Sequence, residues 1–231
     1  MKIKAVIFDL DDTLVDFIPA KLKACEEVVK LAQRGSAEEL LNYFLRGKHG
    51  FEHYENIADF LRDHGVFSQE LFLQCCEVYE KTKLERIRVY PGIEEVLKRL
   101  KELGFKLAVV TDAENGKAIS RLRKFNLENY FDAIVSADMS GKRKPEPDSI
   151  LLALKKLGVK VEEAVLVGDS IRRDITAGKR IGMITIFASY GATFISYAGD
   201  ADFVADKPED ILKILQILQE SRKGERCIRS I

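Results

Sequence analysis

Ile3-Lys4-Ala5-Val6-Ile7-Phe8-Asp9-Leu10-Asp11-Asp12-Thr13-Leu14 joins a short apolar run, rich in β-branched and aromatic residues, to a cluster of three carboxylates. The run reads as a buried strand. The cluster then falls at the strand's carboxyl end, outside which open α/β sheets bind ligands. Carboxylates gathered there repel one another unless a cation or a shared proton offsets the charge. The stretch therefore predicts a metal-dependent catalytic site at the edge of a parallel sheet.

Strand-like and helix-like segments alternate through most of the remaining chain, the pattern of a parallel sheet covered by helices. Further strands are expected at 106–110, 133–136, 164–167 and 183–187, with a short edge strand at 203–204. Amphipathic helices are expected at 92–103, 148–157 and 208–218; the first two are followed by Gly104 and Gly158, suited to close them as C-caps. Residues 17–87 break the rhythm. They hold helical patterns at 21–34, 37–46, 54–64 and 69–86 and no convincing strand. Roughly 70 residues of helix is too much for one crossover connection. The expected fold is an α/β, doubly wound, Rossmann-like parallel-sheet core (1–16 and 88–231) with an inserted all-helical domain (17–87). The return hinge would lie near 88–91, and the polar, basic stretch 221–231 is expected to be a flexible tail.

The 37 basic and 37 acidic residues balance to a net charge of 0, which gives no support for a nucleic-acid or anionic-membrane binder. No apolar run reaches membrane-spanning length and the amino terminus lacks a signal-peptide layout, so a soluble, cytoplasmic protein is expected. Cys25, Cys75, Cys76 and Cys227 show no metal-ligand spacing and read as thiols in a reducing compartment. Oligomeric state is not legible.

Four strand ends carry residues fit for chemistry. The first gives Asp9 and Asp11, and the second Thr111-Asp112. After the third comes Gly141-Lys142-Arg143-Lys144-Pro145-Glu146-Pro147, and the fourth gives Gly168-Asp169-Ser170 with Asp174 beyond. In this order the segments resemble the four motifs of the haloacid dehalogenase-like hydrolase superfamily. Asp9, Asp11 and Thr13 match its Asp-x-Asp-x-Thr, Thr111 its strand-ending hydroxyl, and Lys144 its lysine before Pro-x-Pro. Gly168, Asp169 and Asp174 match its Gly-Asp with a second Asp downstream.

The resemblance implies a Mg²⁺-dependent phosphatase acting on a small phosphorylated metabolite such as phosphoglycolate or a triose phosphate. It implies Asp9 as nucleophile and Asp11 as general acid and base, a role that needs a raised pKa. It assigns the metal to the Asp9 and Asp169 carboxylates and the Asp11 backbone carbonyl. Lys144 would offset the charge of Asp9 and the phosphoryl group, while the Thr111 hydroxyl and Asp112 N–H hold phosphoryl oxygens. Thr13, Ser170 and Asp174 would support these from behind, with Asp174 orienting Lys144 or metal-bound water. Plainer readings stand beside these: Asp12 and Thr13 as the turn that aims Asp11, Asp112 as a helix cap, Lys142 and Arg143 as solvated side chains.

The helical insertion resembles the mobile cap of the superfamily's first subgroup, which excludes water and selects the leaving group. Arg46, Lys48, His49 and His53, in or beside the turn 47–50, are its candidate specificity residues for a second anionic group, against the reading that they are solvated. A second aspartate such as Asp11 argues against 2-haloacid dehalogenation, which needs neither it nor a metal. A phosphomutase, a phosphonatase using a cap lysine (Lys21, Lys23, Lys30 or Lys48) and a non-catalytic binding module are the alternatives.

Overall fold

The structure is a computed structural model; it describes residues 2–192 and 198–228, with backbone alone for 221–228. The first half of the chain runs β1 (Ala5–Phe8), β2 (Val15–Asp16), α1 (Ile18–Ala32), α2 (Ala37–Leu45), α3 (Glu55–Asp63), α4 (Gln69–Arg86), β3 (Arg88–Val89) and α5 (Ile93–Glu102). It continues with β4 (Lys106–Thr111), α6 (Asn115–Lys124), β5 (Ala133–Ser136), α7 (Ala137–Ser140), α8 (Asp148–Leu157) and β6 (Ala164–Gly168). Last come α9 (Thr176–Arg180), β7 (Ile184–Ala188), β8 (Phe203–Ala205) and α10 (Asp210–Ile228). Two compact units result, 1–15 with 89–231 and 16–88.

The first unit holds a six-stranded sheet in the order β5-β4-β1-β6-β7-β8, every pair parallel. β1 is central: Phe8 lies opposite Val109 on one side and Val167 on the other. Strands buried on both faces must be apolar throughout, and β1 (Ala-Val-Ile-Phe) and β6 (Ala-Val-Leu-Val-Gly) are buried at every residue. Under the sheet, Ile150, Ala153, Leu154 and Leu157 of α8 pack with Ile7, Val110, Val135 and Leu166. Both predicted glycine caps form. Phe105 N–H donates to Leu100 O and Gly104 N–H to Lys101 O, while Val159 and Gly158 repeat the pattern on Leu154 and Lys155, so the last carbonyls of α5 and α8 are satisfied.

Departures from the expected boundaries are local. β7 begins at Ile184 because Met183 N–H is spent on Gly178 O, closing α9. α1 starts three residues early, at Ile18, since Pro19 in a first helical turn gives up no intrahelical hydrogen bond. α10 runs past the expected end to Ile228, and residues 229–231 of the expected tail lie outside the described residues. The two-residue strands β2 and β3, which pair with each other, are too short to leave a pattern in the sequence.

The second unit is helical apart from its ends in that ribbon. α1 buries Ala20, Ala24, Cys25 and Val28 at spacings of three and four, and packs on α4 and α2. α2 opens with a capping box: Ser36 accepts from Glu39 N–H while the Glu39 side chain accepts from Ser36 N–H. Two lysines are buried here. Lys21 donates to Phe51 O, with its ammonium over the Phe44 and Phe51 rings. Lys83 bridges Glu52 and Glu80, each at 2.8 Å. Among the described residues, no helix is long and apolar enough to cross a membrane.

Candidate active site

Asp9 follows β1 directly, and its N–H extends the ladder to Val167 O at 2.9 Å. The chain then turns back on itself: Leu14 and Val15 N–H both donate to Leu10 O, and Asp12 N–H donates to Val15 O. Asp12 sits at φ 60°, a left-handed conformation that aspartate tolerates better than most residues. Asp12 and Thr13 thus form the expected turn. Thr13 Oγ1 donates to Asp169 Oδ1 at 3.4 Å, and the Tyr190 hydroxyl donates to Thr13 O at 3.0 Å. Gly191 presses on the same turn; a Cβ there would lie 1.5 Å from Asp12 O. Only glycine permits this approach.

Lys144 arrives from the loop after α7 and is buried. Its Nζ donates to Asp9 Oδ1 and Asp174 Oδ1, both at 2.6 Å, and to Val110 O at 3.3 Å. Burial would lower the ammonium's pKa, but Asp174 and then Asp9 outweigh it and hold Lys144 above the ordinary lysine value. Asp174 Oδ2 accepts from Ser170 N–H at 3.1 Å. The carboxyl lies so close to β6 that a Cβ at Gly168 would be 2.4 Å from Asp174 Cγ.

Carboxylate oxygens of Asp9, Asp169 and Asp174 lie within 4.8 Å of one another. Burial first, then the charges of Asp174 and Asp9, push the Asp169 carboxyl well above its usual range. Burial and then Asp9 raise Asp174 as well, against Lys144. A hard divalent cation would relieve that repulsion, and an all-oxygen donor set is the kind such an ion takes. Both Asp174 oxygens are engaged by Lys144 and Ser170; Asp9 and Asp169 are the better-suited ligand pair.

The remaining predicted core residues lie at the same strand ends. Thr111 Oγ1 accepts from Ala113 N–H at 3.1 Å. Asp112 is not a helix cap: α6 begins at Asn115, whose N–H donates to Asp138 Oδ1, while Asp112 Oδ1 accepts from Lys144 N–H at 2.9 Å. Lys142 and Arg143 are exposed.

Two arginines escaped the sequence reading. Arg121 Nη1 lies 2.5 Å from Asp11 Oδ2. Arg173 approaches Asp112 Oδ2 at 3.9 Å and Asp169 Oδ2 at 4.0 Å. For Arg121 the signal was a cation on the apolar face of a helix, beside Ala118 and Leu122. Arg173 sits in the π-helical turn Ile171–Ile175, which no periodicity announces.

In the helical unit, three of the four specificity candidates converge on one atom. Arg46 Nη2 and Lys48 Nζ lie 2.6 Å, and His49 Nε2 3.0 Å, from Asp59 Oδ2. The Lys48 hydrogen bond, then that of His49, hold the Asp59 carboxyl down at about 2 against the opposing effect of burial. His53 does not join them; its Nδ1 accepts from Glu55 N–H, and its ring stacks 5.8 Å from that of His49. Asp59 was missed because it lies on the next helix, α3.

Residues 6–188 match the family of haloacid dehalogenase-like hydrolases, and the chain belongs to that family. It is 32% identical over 233 residues to a glyceraldehyde 3-phosphate phosphatase of Methanopyrus kandleri, covering 94% of this chain and 98% of the relative. It is 32% identical over 224 residues to a phosphoglycolate phosphatase of Aquifex aeolicus, covering 92% and 96%. Among solved structures it resembles a HAD phosphatase from Thermococcus onnurineus, with TM-score 0.72, 26% identity, and 92% and 98% of the two chains covered.

Proposed function

We propose that the protein is a Mg²⁺-dependent phosphatase that hydrolyses a small phosphorylated metabolite through an aspartyl-phosphate on Asp9. The observation that carries this reading is the buried Lys144 ammonium joining Asp9 to Asp174, beside Asp169. A carboxylate nucleophile facing an anionic phosphoryl group needs such compensation.

In the first half-reaction an Asp9 carboxylate oxygen attacks phosphorus. The bond to the ester oxygen breaks, and that oxygen takes a proton from Asp11. In the second, water attacks the same phosphorus and gives a proton to Asp11, the Asp9–phosphorus bond breaks, and inorganic phosphate leaves. The Thr111 hydroxyl and Asp112 N–H hold phosphoryl oxygens, and Lys144 offsets their charge. Asp174, fixed by Ser170 N–H, orients Lys144; Thr13 steadies Asp169. The Asp9 and Asp169 carboxylates and the Asp11 carbonyl would hold a Mg²⁺ ion, which would supply Lewis-acid stabilisation of the phosphoryl oxygens.

The helical unit serves as a cap that selects the leaving group. Arg46 and Lys48, gathered with His49 on Asp59, supply cations suited to a second anionic group. The substrates in the two relatives' names are both small phosphate esters, which supports that substrate class. The lysines considered for a phosphonatase are engaged within the unit: Lys21 with Phe51 O, Lys23 with Glu26, Lys30 with Glu27 and Lys48 with Asp59.

The test is Mg²⁺-dependent phosphate release from a panel of small phosphate esters, with Asp9→Asn and Asp11→Asn as controls. Release by the wild type, lost in both variants, is expected. Silence across the panel, or release undiminished in Asp9→Asn, would overturn the reading.

A further inference from the structure

Arg121 lies 110 residues from Asp11 in sequence, yet its guanidinium donates to Asp11 Oδ2 at 2.5 Å. It is 2% exposed and shares the inward face of α6 with Ala118 and Leu122. A guanidinium removed from water is costly unless a carboxylate meets it; here that carboxylate is the second aspartate of the first motif. The base of the arm is fixed too, because Asn115 N–H, at the start of α6, donates to Asp138 Oδ1 of α7. At the other end, the Leu10–Val15 turn fixes the Asp11 backbone. What remains to be fixed in such a residue is its two side-chain torsions, and a guanidinium bond to one carboxyl oxygen, which accepts whether or not the carboxyl carries a proton, removes that freedom.

We propose that Arg121 is a positioning residue for Asp11, holding its carboxyl in the orientation from which it passes a proton to the departing ester oxygen. The proposal rests on the phosphatase reading above and adds to it a residue outside the four motifs. Arg121 need not touch the substrate. It acts by lowering the freedom of the group that does, and a general acid displaced by an ångström loses much of its effect.

Proton donation matters most when the leaving group is a poor one. An alkoxide must be protonated as it departs, whereas nitrophenolate leaves unaided. The ratio kcat/KM reports every step through departure of the leaving group, so it reads this difference directly. The experiment compares para-nitrophenyl phosphate, phenyl phosphate and the best alkyl phosphate of the wild type, using Arg121→Lys, Arg121→Met and the same changes in Asp11→Asn protein.

In Arg121→Met, kcat/KM is expected to fall on the order of 100-fold for the alkyl ester and roughly fivefold for para-nitrophenyl phosphate. Arg121→Lys is expected to recover about tenfold on the alkyl ester, since a cation again reaches Asp11 without the planar fork. Residual turnover of the nitrophenyl ester by the same variant shows that it is folded; should the Met variant fail to fold, Arg121→Lys carries the comparison with the same sign. In the Asp11→Asn background, where only the single-turnover burst of nitrophenol or phenol can be read, losing Arg121 should add no further dependence on leaving group. Equal losses on all three esters, or a full additional effect without Asp11, would overturn the role. Failure of the wild type on every ester with Mg²⁺ present would instead remove the phosphatase reading, and the role with it.

Discussion

Lys144 Nζ and Asp9 Oδ1 lie 2.6 Å apart although 135 residues separate them in sequence. The contact brings the loop after α7 onto the end of β1, and Asp174 completes it from the far side at 2.6 Å. One buried ammonium thus offsets two buried carboxylates, and none of the three is compensated without the others. Stability and chemistry are tied to the same side chains, which makes the set testable by physical as well as kinetic means.

Removing the ammonium leaves Asp9, Asp169 and Asp174 crowded with only the more distant Arg173 to offset them. Lys144→Met is expected to cost about 3–5 kcal/mol of stability, read by urea unfolding, and at least roughly a hundredfold in phosphate release. Adding Asp174→Asn should recover part of the stability and none of the activity. Unchanged stability in Lys144→Met would contradict the charge-balance account.

Mg²⁺ should stabilise the protein with no substrate present, because it binds a folded arrangement of carboxylates that the unfolded chain lacks. At a hundredfold excess over its Kd the gain is about 2.7 kcal/mol, visible as a rise in Tm. Asp169→Asn should abolish the rise. The absence of any Mg²⁺-dependent shift in the wild type would speak against the Asp9–Asp169 pair as ligands.

How much of this was legible in the sequence follows from the range of each interaction. Buried strands announce themselves as apolar runs, so β1, β4 and β6 and the residues at their ends could be placed with no long-range information. Helix ends carrying Gly104 and Gly158 were equally local. Contacts between distant elements were not legible. Nothing near Asp11 points to Arg121, and nothing near the specificity candidates Arg46, Lys48 and His49 points to Asp59, which lies on another helix. The ribbon of β2 and β3 is too short for any period to register.

Gly191 supplies a steric test of the catalytic turn. Gly191→Ala puts a methyl group 1.5 Å from Asp12 O, so the turn carrying Asp11 must move. Overpacking of this kind typically costs about 1–3 kcal/mol; the far-UV circular dichroism should persist while kcat falls at least roughly tenfold. Wild-type kcat in this variant would show that the turn's position is not critical.

Cys25, buried in α1, gives the helical unit an alkaline signature. Burial raises its thiol from 9.0 to about 12. The folded state therefore keeps the proton longer than the unfolded chain, and stability falls as pH climbs above 9 towards 12. Cys25→Ala should flatten this alkaline limb in urea melts relative to the wild type. Identical limbs in the two proteins would count against a buried, protonated thiol.

The most direct test of the account is to trap the phosphoryl group on Asp9. In Asp11→Asn protein, para-nitrophenyl phosphate can phosphorylate Asp9 without a proton donor, but the base for hydrolysis is missing, so the intermediate should accumulate. Acid quenching followed by peptide mass spectrometry is predicted to find about one phosphoryl group per chain on the peptide carrying Asp9, with a matching burst of nitrophenolate. A phosphoryl group on any other residue, or a burst that survives Asp9→Asn, would contradict the assignment of Asp9 as nucleophile.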